Sequence, residues 1–121
     1  SQVFAQRDLL EELIYNLCDN AIRYNHRGGW VRVAVEDKEN EVVLTVSDNG
    51  IGIPLEHQER IFERFYRADK SRSKASGGTG LGLAIVKHIV LQLDARLNLQ
   101  SEVGRGTAIS IYFKSKPDTA K

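Results

Sequence analysis

From about Arg7 to Tyr24, the apolar residues Leu9, Leu10, Leu13, Ile14, Leu17, Ala21 and Ile22 recur at steps of three and four. That is the period of an amphipathic helix, and Gly28-Gly29 supplies its stop. The pattern then changes to strict alternation. Val31, Val33 and Val35, separated by polar residues, predict a half-buried strand over Trp30 to Val35. Glu41 to Ser47 reads as its antiparallel neighbour across a turn at Asp37 to Asn40. Asp48 to Pro54, DNGIGIP, holds too many turn residues to prolong that strand, so a loop follows. Helical spacing returns over Glu56 to Phe65 through Ile61, Phe62 and Phe65.

Ala68 to Thr79 is small, polar and basic with almost nothing to pack, which predicts a mobile lid at about residues 67–79. Gly80 to Leu93 is apolar around much of a helix, and Arg96 to Ser101 with Thr107 to Phe113 forms a terminal hairpin through GRGT. A frayed tail is expected from about residue 115. Helices interspersed with antiparallel strand pairs predict an α+β fold. Its form is a two-layer α/β sandwich with a mixed, mostly antiparallel sheet covered on one face by three helices. At 121 residues the chain suffices for one domain over its whole length.

Charge removes some function classes. With 17 Lys+Arg against 16 Asp+Glu, the net charge of +1 creates no field for nucleic acid or an acidic membrane. Cys18 is the single cysteine, so no internal disulfide forms. No stretch approaches the roughly 18 to 20 apolar residues of a membrane span, and the charged start SQVFAQRDLLEE is unlike a signal peptide. The lack of methionine points to a piece of a longer protein.

Three local patterns carry chemistry. Asn16, Asn20 and Arg23 fall at i, i+4 and i+7 on the first helix and form one polar stripe. Amide oxygens suit Mg²⁺, and a guanidinium grips phosphate bidentately. Asp48, Gly50 and Gly52 follow directly on a strand, where glycines let the backbone approach a flat ligand. A carboxylate there accepts from the N6 amino group of adenine, whereas guanine presents a carbonyl in the same place. Gly78, Gly80 and Gly82 lead into the last helix, whose N-terminus favours phosphate. Their spacing is GxGxG rather than GxGxxG, and there is no GxxxxGK[ST] stretch. Taken singly, each has an ordinary counterpart: a solvated helix face, a hairpin-breaking turn, a flexible linker. Arg67, at the exit of RIFERFYR beside Tyr66, could close on a γ-phosphate, its ordinary counterpart being a surface arginine. His26, His57 and His88 have no carboxylate or cysteine partner at ligand spacing and read as structural.

In this order, NLCDNAIRY, DNGIGIP, RIFERFYR, GGTGLGLAIVK and SEVGRGT resemble the N, G1, F, G2 and G3 boxes of sensor histidine kinases, over nearly the whole chain. The resemblance implies the Bergerat ATP-binding fold of the GHKL superfamily. It implies that Asn20 coordinates Mg²⁺ with Asn16 close by, and that Asp48 holds the adenine amino group. Tyr24, Ile53 and Leu83 would pack on the base, and Thr107 would help fix it through water. Gly78, Thr79, Gly80, Leu81, Gly82 and Leu83 would wrap the phosphates, while Arg67 with Tyr66 would face the γ-phosphate. Arg23 stands where the family often has lysine.

ATP-hydrolysing members of the superfamily carry a glutamate four residues before the metal-binding asparagine; here that position is Asn16, which is no general base. Transfer to a protein acceptor is therefore expected, with Asn16, Arg23 and Arg67 as the catalytic set. The implied partners are ATP, the dimerisation and histidine-phosphotransfer domain of the parent kinase and, indirectly, a response regulator. The isolated domain is expected to be monomeric, part of the cytoplasmic region of a membrane-anchored sensor. Alternatives sharing the fold are a GHKL-type ATPase, an anti-sigma-type serine kinase and a nucleotide-binding regulator without transfer.

Overall fold

The apolar periods become helices that each bury one face. A computed structural model describes residues 2–63 and 82–114, with side chains from residue 7. Helix α1 is Gln2–Arg23, and its Leu13, Leu17 and Ala21, spaced four apart, are 0%, 1% and 3% exposed. Helix α2 is Gly82–Gln92 and buries Val86, Ile89 and Val90. Burial around much of its circumference was expected, but Leu91 is exposed because α2 packs only inward, on α1 and the sheet.

The strands are β1 (Val31–Asp37), β2 (Glu41–Asp48), β3 (Arg96–Glu102) and β4 (Gly106–Lys114). Their order is β1-β2-β4-β3, and every pairing among the described residues is antiparallel, so the sheet is two hairpins joined along β2 and β4. The registers align side chains in rows across the sheet. Val35, Leu44, Ile111 and Leu97 form one row, and Val33, Val46, Ile109 and Leu99 the next. The β2, β4 and β3 members of both rows meet the helices in one core with Leu13, Leu17, Val86 and Ile89. The two-layer α+β architecture expected from the sequence is the one observed.

Two local expectations need correction. Alternation identified the inward face of β1 correctly, yet Val33 and Val35 remain 49% and 68% exposed. β1 is an edge strand, and the helices lie mainly over the other three. Of the helix expected at Glu56 to Phe65, the described part, up to residue 63, is instead a 3₁₀ turn at Leu55–His57 continued by turns. The backbone bonds there run three residues apart, from His57 to Pro54, Gln58 to Leu55, Arg60 to His57 and Glu63 to Arg60. Two α-helices, rather than three, therefore cover the sheet among the described residues. The expected lid at residues 67–79 and the tail from 115 lie outside those residues.

Leu13 is fully enclosed between α1, α2 and the sheet, so Leu13→Ala leaves a cavity that rigid strands cannot fill. We expect a loss of about 2–5 kcal/mol in urea unfolding; a loss under about 1 kcal/mol would contradict this packing.

Candidate functional site

One step beyond the two apolar rows, the same inward face turns polar. The next row reads Val31, Asp48, Thr107 and Ser101. Thr107 is the only buried polar residue among those described, at 9% exposure. A sheet surface that is apolar for two rows and polar in the third offers hydrogen-bonding groups that can receive the polar edge of a ligand.

Asp48 ends β2, and its Oδ1 accepts the Gly50 N–H at 2.8 Å, a turn that folds the chain back over the strand end. Burial pushes the carboxyl above its ordinary value, and the N–H groups of Gly50 and Thr107 offset part of that rise. No cation pairs with Asp48 among the described residues. It is thus a half-buried acceptor whose charge is only partly compensated.

The turns around it depend on two glycines. Gly106 has φ of +112°, and a Cβ there would drive into the Asp48 carbonyl; Gly52, at +76°, would strike the carbonyl of Glu102. Both backbones approach more closely than any side chain allows.

Behind Asp48 lies a hydrogen-bonded knot. The Ser101 hydroxyl meets Thr107 Oγ1 at 2.7 Å and the Gly106 carbonyl at 3.0 Å, and it accepts the Ile53 N–H at 2.8 Å. Gln58 Nε2 donates to the carbonyls of Ile53 at 2.9 Å and Ser101 at 3.1 Å. An open depression of about 510 Å³ borders the knot. It is lined by Asp48, Ser101, Thr107 and Gln58, but also by Ser47 and Ala108 from the sheet's other face, so it wraps the strand ends and does not by itself outline a ligand.

The helix side brings some expected residues together. Asn16 Nδ2 donates to the Glu12 carbonyl at 2.8 Å. Its Oδ1 faces the start of α2, 3.5 Å from where a Cβ on Gly82 would sit. Leu83 packs at the edge of the core. Asn20 follows on the C-terminal turn of α1 and Tyr24 in the turn just after it, and the Tyr24 carbonyl accepts the Ile51 N–H at 3.1 Å. That bond ties α1 to the loop carrying Gly50, Gly52 and Ile53. Arg23 Nε donates to Asp19 Oδ2 at 2.7 Å, and this partner raises its pKa. Tyr66, Arg67, Gly78, Thr79, Gly80 and Leu81 lie outside the described residues.

Reasoning from sequence missed Ser101 and Gln58. Ser101 sits in SEVGRGT, but its place beside Thr107 is visible only once β3 and β4 are in register. It missed Asn49 too, whose Oδ1 accepts from Trp30 N at 2.6 Å and Asn25 Nδ2 at 3.3 Å. His26 Nε2 meets the Asn49 carbonyl at 2.9 Å.

Residues 5–117 match the family described as histidine kinase-, DNA gyrase B- and HSP90-like ATPase, and the chain belongs to that family. Within it, the similar proteins are sensor kinases. The chain is 42% identical over 117 residues to the sensor-like histidine kinase SenX3 of Mycolicibacterium smegmatis, covering 97% of this chain and 30% of that protein. It is 41% identical over 108 residues to the signal transduction histidine-protein kinase ArlS of Staphylococcus haemolyticus, covering 89% and 24%. The chain thus spans about a quarter to a third of the length of these relatives. Among solved structures, the mycobacterial sensor histidine kinase MprB superposes with a TM-score of 0.77 at 34% identity, covering 91% of this chain and 74% of that one. The catalytic domain of histidine kinase ThkA superposes with a TM-score of 0.76 at 27% identity, covering 92% and 70%.

The glycine constraint is testable without a ligand. Gly106→Ala combines a left-handed backbone with a Cβ against the Asp48 carbonyl, and we expect it to cost about 2–3 kcal/mol in denaturant unfolding. An unchanged midpoint would contradict the close approach.

Proposed function

We propose that this chain is the ATP-binding catalytic domain of a two-component sensor histidine kinase. In this reading it binds Mg-ATP and delivers the γ-phosphoryl group to a histidine on the separate dimerisation and phosphotransfer domain of the parent kinase. A response regulator receives the group afterwards. The observation that carries the reading is Asp48, a half-buried carboxylate that takes two backbone N–H groups and pairs with no cation among the described residues. It offers its charge to an amino donor, and adenine N6 is one.

The chain's own groups divide the work. Asp48 orients the purine by its amino edge, with Tyr24, Ile53 and Leu83 against the ring and Thr107 beside the carboxylate. The start of α2 at Gly82 receives the phosphates with its N–H groups, and Gly78, Thr79, Gly80 and Leu81, which precede it in the sequence, would take part. The donor set on α1 fits Mg²⁺, a hard cation that takes one or two protein oxygens and keeps waters and phosphates for the rest. Asn20 would hold it, with the Asn16 oxygen turned to the same end of the site. When bound, the ion neutralises charge on the phosphates. Arg67, with Tyr66, would reach the γ-phosphate. Arg23 adds positive charge nearby, although Asp19 already takes its Nε.

Asn16 has neither the charge nor the basicity to activate water, which favours transfer over hydrolysis and separates this reading from a GHKL-type ATPase. Phosphoryl transfer needs mainly positioning and charge neutralisation. No helix among the described residues is long and apolar enough to cross a membrane; we place the domain on the cytoplasmic side of its parent sensor.

Asp48→Ala removes the partner of the amino group. We expect about 1.5–3 kcal/mol less favourable binding of a fluorescent ATP analogue, and unchanged affinity would defeat the assignment. The charge state gives a second check. Because burial raises the Asp48 pKa, the ionised acceptor is lost as pH falls through a window shifted above that of an ordinary aspartate. ATP affinity measured between about pH 4 and pH 8 is expected to drop in that window, and Asp48→Asn is expected to lack this step. Identical profiles would show that Asp48 does not read the base.

A further inference from the structure

The Ser101 hydroxyl has one proton and two lone pairs, and three neighbours claim them. The Gly106 carbonyl, 3.0 Å away, can only accept, so it takes the Ser101 proton. The Ile53 N–H, at 2.8 Å, can only donate, so it fills one lone pair. One lone pair remains for the 2.7 Å contact with Thr107 Oγ1, and only a proton from Thr107 can complete it. With its single proton committed to Ser101, Thr107 presents lone pairs alone to anything else that approaches.

That outcome matters because of the register. Thr107 stands opposite Asp48 on one side and Ser101 on the other, in the same inward-facing row. The Thr107 N–H already points to the Asp48 carboxylate, which can only accept while ionised. The ligand-reading end of the row is therefore acceptor beside acceptor. An exocyclic amino group, with two protons, satisfies both oxygens directly or through one water. A carbonyl in that place finds no donor from either side chain.

Resting on the ATP reading above, we propose that Ser101 is a positioning and specificity-determining residue, fixing the Thr107 hydroxyl as an acceptor so that the site selects a 6-amino purine over a 6-oxo purine. Gln58 keeps the arrangement in place by holding the carbonyls of Ile53 and Ser101 with one amide nitrogen. Free of Ser101, the Thr107 hydroxyl turns and donates to a carbonyl as readily as it accepts from an amine. The base preference then rests on Asp48 alone.

The test compares binding of ATP and inosine triphosphate, both with Mg²⁺, to the 121-residue chain and its variants, by calorimetry. In Ser101→Ala the ratio of the two affinities is expected to fall about fivefold, the scale of one neutral hydrogen bond. Ser101→Thr keeps the hydroxyl and is expected to restore the ratio. Should alanine unfold the domain, Ser101→Cys fills nearly the same space with a weak donor and acceptor, and the ratio is expected to fall there as well. A loss of affinity shared equally by both nucleotides means a merely structural role and overturns the proposal. So does an unchanged ratio. Failure of the unaltered chain to bind ATP would instead sink the ATP reading itself, and the inference with it.

Discussion

A carboxylate held half out of water at the end of an apolar sheet face is the constraint around which the domain is organised. Asp48 lies one register step beyond Val46 and Ile109, residues sealed under the helices. Burying a charge so close to the core is unfavourable unless donors surround it. The fold supplies two, the N–H groups of Gly50 and Thr107, and burial still outweighs them. What remains uncompensated is the capacity to bind. The glycines at positions 52 and 106 follow from the same constraint, since the loop must cross strand ends where no Cβ fits.

In the proposed reading, the site has two ends made by different physics, a base end and a phosphate end. At the base end, rigid hairpins fix acceptors through register, and the Ser101 knot removes rotational freedom from a hydroxyl. At the phosphate end, α1 places Asn16, Asn20 and Arg23 along one face, and the start of α2 lies beside Asn16. Packing of α1 on α2 within the core that holds Leu17 and Val86 sets the relation between these ends. The hydrophobic core thereby serves as the ruler for a ligand that touches little of it.

Much of this was legible in the sequence. The change of period from 3.6 to 2 at Gly28-Gly29 marked the join of helix and sheet, and the position of Asp48 at a strand end followed from the turn residues of DNGIGIP after Glu41 to Ser47. Other features were not, for identifiable reasons. Alternation reports which face a valine occupies, not whether anything lies over it, so the exposure of Val33 and Val35 on the edge strand could not be read. The spacing of Ile61, Phe62 and Phe65 suits a helix, but after Pro54, with Gln58 clamped on Ile53 and Ser101, the described residues up to Glu63 run in turns whose backbone bonds are three residues apart. Asp19 stands four residues before Arg23, a pairing visible in the sequence, yet the stripe of Asn16, Asn20 and Arg23 drew attention elsewhere. Ser101 shows its role only across three strands, which no local pattern encodes.

The central claim is that the row ending in Asp48 and Thr107 recognises a purine by its amino group. Calorimetric titration of the unaltered, folded chain with Mg-ATP and, separately, with Mg-GTP addresses it most directly. The account predicts saturable heat with ATP and at least about tenfold weaker binding of GTP, the scale of one lost charged hydrogen bond. Equal binding of the two nucleotides, or no heat from either, would contradict it.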